Sequence, residues 1–174
     1  KIMKITTVYF SATYTTHRIV GHLAKRLSEE VTESDITNQA PAKEVVIPKD
    51  EVLVVGIPVY AGRVPEMAVE RIRQFKGEGT PAIAVAVYGN RDYDDALLEL
   101  SDLLSENGFQ VISAGAFIAQ HSIFPKVGAQ RPDADDYHQI NVFADESFKI
   151  LNKNREKLLP IHVRGNRPYK IPGS

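Results

Sequence analysis

Four Ser and Thr side chains lie close together near the start of the chain, in the segment Ser11-Ala12-Thr13-Tyr14-Thr15-Thr16. An apolar stretch ends just before them at Phe10, and a helical pattern follows, with Val20, Leu23 and Leu27 on one face. Such a turn can hold a phosphate, because the hydroxyls and the backbone N–H groups at the helix start donate to the anion. Since the segment has no Lys or Arg, it favours a phosphate monoester over a metal-bound triphosphate. The same residues could also serve only as a helix cap.

Two further loops offer aromatic rings, backbone donors and charged groups. One is Pro58-Val59-Tyr60-Ala61-Gly62-Arg63-Val64-Pro65, and the other is Tyr88-Gly89-Asn90-Arg91-Asp92-Tyr93-Asp94-Asp95. Rings that stack on a flat group, with amides that bind its edge, would suit a planar ligand with a phosphate tail. The simpler alternatives are packed surface rings, a solvated Arg63, and Asp94 and Asp95 as helix caps.

Strands and helices alternate around these loops. We predict strands at Lys4–Phe10, Val52–Gly56, Ala82–Val87 and Gln110–Ile118, an edge strand at Ser34–Thr37, and helices at Thr15–Val31, after Pro65, at Tyr93–Glu106 and after Asp133. Continuous apolar strands between helices are typical of an α/β protein with a parallel sheet. An open doubly wound sheet fits better than a barrel, which needs about 250 residues. Because such sheets bind ligands at the carboxyl ends of their strands, the three loops should meet at one edge.

Composition narrows the classes of function. The 174 residues have a net charge of −1 and 43% hydrophobic residues, which suits one globular domain and does not favour nucleic acid or an anionic membrane as partner. The sequence has no cysteine, which excludes thiolate catalysis and cysteine-ligated iron–sulfur clusters and fits a cytoplasmic protein. Redox chemistry would therefore need a bound organic cofactor.

The remaining candidates are the histidines and the tail. His17, His22, His138 and His162 do not have metal-ligand spacing, so no metal site is predicted. His121 follows the fifth strand, near the expected cleft, and is a candidate site residue. We expect one domain over residues 1–158 and an extended tail or linker over 159–174, where Pro160, Pro168 and Pro172 lie.

Taken together, the three loops resemble those of the flavodoxin family. The segment 11–16 is similar to the family's phosphate loop, S/T-x-T-G-x-S/T. Loops 58–65 and 88–95, with Arg131-Pro132-Asp133-Ala134-Asp135, are similar to the flavodoxin half of bacterial and archaeal flavodoxin–ferredoxin fusion proteins. The resemblance extends from about Lys4 to Lys153. It implies a flavodoxin-like fold with five parallel strands in the order 2-1-3-4-5 and helices on both faces.

The resemblance also implies noncovalent FMN and one-electron transfer, with a ferredoxin or a reductase as redox partner. The residues it implies at the phosphate are Ser11, Thr13, Tyr14, Thr15 and Thr16. Those implied around the flavin ring are Pro58, Val59, Tyr60, Ala61, Gly62 and Arg63 on one side, and Tyr88, Gly89, Asn90, Arg91, Asp92, Tyr93 and Asp95 on the other. His121 joins the predicted cofactor-binding residues because of its place after the fifth strand. Tyr60 and Tyr93 would be the stacking rings.

The chain departs from the family pattern in two places. Tyr14 replaces the usual glycine, and a left-handed backbone there would cost about 1 kcal/mol. The cysteine-rich ferredoxin module of the fusion proteins has no counterpart in this sequence. Three alternatives stay open: an FMN-dependent NAD(P)H:quinone or protoporphyrinogen reductase with His121 as acid, a flavodoxin-like activator of ribonucleotide reductase, and a binding module without flavin.

Overall fold

The computed structural model describes residues 3–11, 14–89, 92–118, 134–153 and 161–171. Along them run the strands β1 (Lys4–Tyr9), β2 (Glu30–Asp35), β3 (Val45–Ile47), β4 (Val52–Pro58), β5 (Phe75–Gly77), β6 (Thr80–Tyr88) and β7 (Phe109–Ile118). The helices are α1 (Thr15–Leu27), α2 (Glu66–Ile72), α3 (Ala96–Glu106) and α4 (Ala134–Leu151). None of the helices in these ranges combines the length and the hydropathy that a membrane crossing requires.

Five strands form one parallel sheet in the order β2-β1-β4-β6-β7. This arrangement confirms the predicted sheet, because removal of the short β3 and β5 leaves the order 2-1-3-4-5. The centre of the sheet is apolar, and all seven residues of β4 are buried. A strand covered on both faces has no polar side to present to water, which explains its continuous apolar sequence.

The core lies on both faces of the sheet, as a doubly wound fold requires. Val8, Leu53 and Val55 pack against α2 and α3 on one face. Ile5, Val54 and Val85 pack against α1 and α4 on the other. Neighbouring residues along each strand therefore enter different halves of the core, and the sheet is fixed between the two helix layers.

Several boundaries differ from the prediction. Helix α1 ends at Leu27 instead of Val31, because Ser28 is extended and its hydroxyl donates to the Met3 carbonyl oxygen. Val31 continues the apolar spacing of the helix, yet it lies on the edge strand β2. The short parallel strands β3 and β5 are not among the predicted strands.

Candidate functional site

Three loops leave the sheet side by side at the carboxyl ends of β1, β4 and β6. The Phe10 amide donates to the Gly56 carbonyl oxygen at 3.1 Å, and the Val59 amide donates to that of Val87 at 2.9 Å. The chain connects β1 to β2 on one side and places β4 on the other, so the crevice between β1 and β4 is the switch point of the sheet. Doubly wound sheets bind ligands at such a point.

The first loop enters helix α1 through a left-handed residue. Tyr14 is the residue that precedes the helix, and its φ of 66° lies in the region that favours glycine. The strain predicted for a tyrosine at this position is therefore present in the backbone. Within the described part of the chain, the first turn of α1 contains no acidic residue, and the Tyr14 side chain makes no capping hydrogen bond. The helix start thus carries no side-chain charge that would repel an anion.

Ser11 is held in place next to this helix start. Its amide donates to Thr37 Oγ1 at 2.9 Å, and Thr37 Oγ1 in turn donates to Asp35. The His17 amide donates to Ser11 Oγ at 3.1 Å. A hydroxyl that accepts one hydrogen bond still has its own hydrogen to donate, so Ser11 remains suited to an anion.

Aromatic rings lie beside the first loop. The His17 ring stacks on Tyr9 with centroids 4.3 Å apart, and the Tyr14 ring lies 6.0 Å from His17. The side chain of Tyr14 is 70% exposed. Burial raises the pKa of Tyr9, and the nearby Glu33 and Asp35 raise it further, so the Tyr9 phenol stays protonated at neutral pH.

The second loop makes a tight two-residue turn. The amides of Tyr60 and Arg63 each donate to the other's carbonyl oxygen, at 2.9 and 3.0 Å. Between them, Ala61 and Gly62 have φ values of 52° and 79°. Positive φ at both central residues is the mark of a type I′ turn, which favours glycine and strains alanine.

Arg63 connects this turn to helix α3 through an ion pair. Its Nε and Nη2 atoms donate to the two carboxylate oxygens of Glu99 at 2.7 and 2.8 Å, and the Val64 amide donates to the same carboxylate at 3.0 Å. Glu99 is buried. The Arg63 side chain is therefore directed towards α3, where its charge balances that of Glu99.

The third loop packs against the second. Asp94 has a φ of 47°, and the Asp95 amide donates to the Gly62 carbonyl oxygen at 3.2 Å. A Cβ atom on Gly62 would lie 2.5 Å from Asp94 Oδ2, so only glycine fits at this contact. The rings of Tyr88 and Tyr93 lie 5.3 Å apart at 57°. Among the described residues, Tyr14, Ala61 and Asp94 are those other than glycine with positive φ, and each of the three loops contains one.

Residues 161–171, which we call the strap, cover the outer side of the second and third loops. The amides of Asn166 and Lys170 donate to the carboxylate of Asp95 at 2.8 and 2.6 Å. Arg63 Nη1 donates to the Lys170 carbonyl oxygen at 3.0 Å. The strap contains no helix or strand. The proposed boundary at residue 158 stays a prediction.

The predicted site residues that the structure describes lie on these three loops. The second and third loops are in direct contact, while the first opens beside them on the neighbouring strand. Thr13, Asn90, Arg91 and His121 lie outside the described residues. Sequence reasoning missed Glu99, Asp102, Arg164 and Lys170, which hold the loops from behind. In the described ranges, no three His, Asp or Glu residues are grouped in a way that could hold a metal.

Comparisons with known proteins identify the fold. No protein-family model and no curated protein matches the chain. Flavodoxin 1 from Bacillus cereus matches with a TM-score of 0.61 at 16% identity, over 84% of this chain and 97% of that one. A short-chain flavodoxin associated with a bacterial microcompartment matches with a TM-score of 0.60 at 18% identity, over 85% and 98% of the two chains. An NADH:FMN oxidoreductase in its apo form gives 0.60 at 15% identity, over 84% and 89%. The chain has the flavodoxin fold.

Proposed function

From the flavodoxin fold as premise, we propose that this protein binds FMN noncovalently and carries electrons. The observation that supports this best is the position of three strained loops side by side at the carboxyl ends of β1, β4 and β6, next to the switch point of the sheet. Left-handed backbone at residues other than glycine persists where the surrounding structure enforces it, and it concentrates at binding sites. Bound FMN would supply the redox chemistry, and the protein would bind and orient it.

In this proposal the first loop binds the phosphate. The Ser11 hydroxyl and the amides at the start of α1 donate to the phosphate oxygens. No lysine or arginine lies in residues 11–16, so neutral dipoles carry the binding. Thr13, Thr15 and Thr16 complete the proposed phosphate set.

The second and third loops flank the flavin ring. Tyr60 is 41% exposed at the edge of the cleft and offers a ring face for stacking. Tyr93 packs against Tyr88 and borders the other side. The backbone of the Tyr60–Arg63 turn offers peptide groups to the ring edge. Val59, Gly89 and Asp92, together with Asn90, Arg91 and His121 outside the described residues, remain proposed contacts from loop position alone.

Titration with two ligands tests the phosphate half of the site. FMN and riboflavin share the ring but differ in the phosphate, and both are measured by quenching of flavin fluorescence. Ser11→Ala and Thr16→Val should weaken FMN about tenfold, as expected for loss of a hydrogen bond to a charged group, and should leave riboflavin unchanged. Thr7→Val is the matched control, because Thr7 is buried in β1 and its hydroxyl finds no partner among the described residues. Absence of FMN binding by the unmodified protein would refute the proposal.

Substitution of the rings tests the other half. Tyr60→Leu and Tyr93→Leu should weaken FMN and riboflavin equally, since both ligands carry the ring. Tyr137→Leu is the control, because Tyr137 packs against His22 on the far side of the sheet. If neither cleft tyrosine changes the affinity or the midpoint potential of the bound flavin, stacking by these rings is wrong.

A second candidate is an FMN-dependent reductase that takes hydride from NAD(P)H. The similarity of the fold to an NADH:FMN oxidoreductase favours it. Steady-state oxidation of NADH or NADPH with a quinone acceptor separates the two functions. A carrier should show no turnover with either nucleotide, yet should accept electrons from dithionite and pass them to a ferredoxin-type partner. We propose the carrier, located in the cytoplasm.

A further inference from the structure

Acidic side chains line the outer edge of the ring-side loops, which are the second and third loops. Asp92, Asp94 and Asp95 lie in the third loop, and Glu99 and Asp102 follow on helix α3. Each of these carboxylates is paired or accepts hydrogen bonds. Of the four cations in this set, Arg63 comes from the second loop, and Arg164, Arg167 and Lys170 come from the strap. Without the strap, the group would carry a net charge of −4 instead of −1.

The side chains of two strap cations contact the ring-side loops directly. Lys170 Nζ lies 3.1 Å from Asp94 Oδ2, and the Lys170 side chain borders Gly62 at the centre of the turn. Arg164 pairs with Asp92, and its guanidinium lies 4.9 Å from the centre of the Tyr93 ring. One strap cation therefore contacts the turn, and the other contacts the proposed stacking ring.

Further contacts anchor the strap to helix α3 and the core. Arg167 donates to both carboxylate oxygens of Asp102 at 2.9 and 2.7 Å, and the Tyr169 hydroxyl donates to the same group. Tyr169 also lies under the Arg63 guanidinium, which is 5.0 Å from the ring centre. Val163 packs on the hydrophobic core, and a Cβ atom on Gly165 would lie 2.8 Å from Leu98 Cβ. The strap is thus closely packed on α3 as well as on the loops.

We propose that the strap sets the position of the ring-side loops and the charge beside the flavin, with Arg164 and Lys170 as positioning residues. The proposal rests on the proposed function for its ligand. The strap touches the loops from behind, and its cations compensate carboxylates close to the ring. Loss of these cations would let the loops open more often, and it would make the surroundings of the flavin more negative. Negative charge disfavours added electrons, so the midpoint potential would fall.

Hydrogen exchange of the ligand-free protein tests whether the strap holds the ring-side loops in position. The amides of Arg63 and Asp95 report on the turn, since they donate to Tyr60 and Gly62. In Arg164→Gln/Lys170→Gln, these two amides should exchange about fivefold faster, as expected for loss of exposed ion pairs. The matched control is Arg26→Gln, which breaks a surface pair with Asp145 between α1 and α4. Exchange equal to that of the unmodified protein would overturn the proposal, and the single variant Lys170→Gln decides it if the double variant does not fold.

Flavin binding tests the positioning part. The double variant should bind FMN and riboflavin about fivefold more weakly, with a lower midpoint potential, while Arg26→Gln changes neither. Arg164→Lys/Lys170→Arg keeps both charges and should restore the potential. Faster exchange with unchanged affinity and potential would overturn the positioning role. If the unmodified protein binds no FMN, the proposed function fails, whereas the exchange rates still decide whether the strap holds the loops.

Discussion

The phosphate-side loop and the ring-side loops are built in different ways. Residues 11–16 carry a strained Tyr14, and around it the hydrogen bonds join Ser11 to the backbone of His17 and to Thr37. The ring-side loops are also strained, at Ala61 and Asp94, but the strap and the ion pair between the half-buried Arg63 and the buried Glu99 hold them. One half of the site is formed by the start of a helix, and the other is held by a network of charges.

This difference predicts which half of the site contributes more to the stability of the fold. A helix start presents its donors whether or not a ligand is bound, so the phosphate side needs little further support. The ring side consists of turns, which are mobile unless other groups hold them. Buried ion pairs are sensitive to loss of one partner, because the remaining charge stays in a poor environment. Substitutions on the ring side should therefore lower the free energy of unfolding more than substitutions on the phosphate side do.

Removal of Arg63 should produce the largest effect. Arg63→Met leaves the buried Glu99 carboxylate without its cation and should lower the free energy of unfolding by about 3 kcal/mol. Urea denaturation measures the loss. Arg63→Met/Glu99→Gln should recover part of it, since no charge then remains buried. A cost below about 1 kcal/mol for the single variant would show that the pair does not hold the ring side.

Relief of strain at Tyr14 should raise the free energy of unfolding, and by less than removal of Arg63 lowers it. Tyr14→Gly removes the left-handed penalty while losing little packing from an exposed ring, and should raise the free energy of unfolding by about 1 kcal/mol. Lys25→Gly, at an exposed helical position of α1, should lower it by about 1 kcal/mol. Urea denaturation of both variants tests the contrast, and a destabilised Tyr14→Gly would mean that the phenol ring itself supports the loop.

Acid should weaken the ring side through Asp102. The hydrogen bond from Arg167 lowers the pKa of Asp102 most, burial opposes it, and the Tyr169 hydrogen bond lowers it further. Its stabilisation is therefore present above the pKa of an unfolded aspartate, about 4, and is lost as pH falls through the lower pKa of the folded state. Asp102→Asn should be less stable at neutral pH, with a difference that shrinks below about pH 4. Denaturation at several pH values checks this, with Asp50→Asn as control, and a difference independent of pH would contradict it.

The smallest effect should come from a pair remote from both loops. Arg26 and Asp145 are solvent-exposed, and their hydrogen bonds of 3.0 Å compete with water. Arg26→Met should leave the free energy of unfolding within experimental error in the same urea assay. A loss as large as that of Arg63→Met would mean that burial does not explain the contrast between the two pairs.

Periodicity and loop position were enough to predict the sheet and the place of the site. Apolar runs such as Val52–Gly56 are long enough to identify buried strands, and their carboxyl ends determine where the loops meet. The family's glycine at position 14 gave the expectation of a left-handed residue, which the φ of Tyr14 confirms. The apolar spacing predicted the end of α1 wrongly, because it does not reveal the hydrogen bond from Ser28 to Met3 at which the helix ends.

The strap could not be predicted, because its partners are distant in the sequence. Arg167 and Asp102 are 65 positions apart, and nothing in the spacing of either segment indicates the other. Prolines and charges near the end of a chain are typical of linkers, so the sequence favoured a loosely attached tail. Charge complementarity became visible only after the fold had placed α3 beside residues 161–171.

The contact between Arg63 and Lys170 joins residues 107 positions apart, and it has a consequence for synthesis on the ribosome. Strands β1 to β7 and their helices emerge before the strap does, so the sheet can assemble while the ring-side turns still lack their outer support. Contacts across such a long stretch of chain form late and slowly. The phosphate-side loop can fold early, whereas the ring-side loops reach their final structure only when residue 170 has left the exit tunnel.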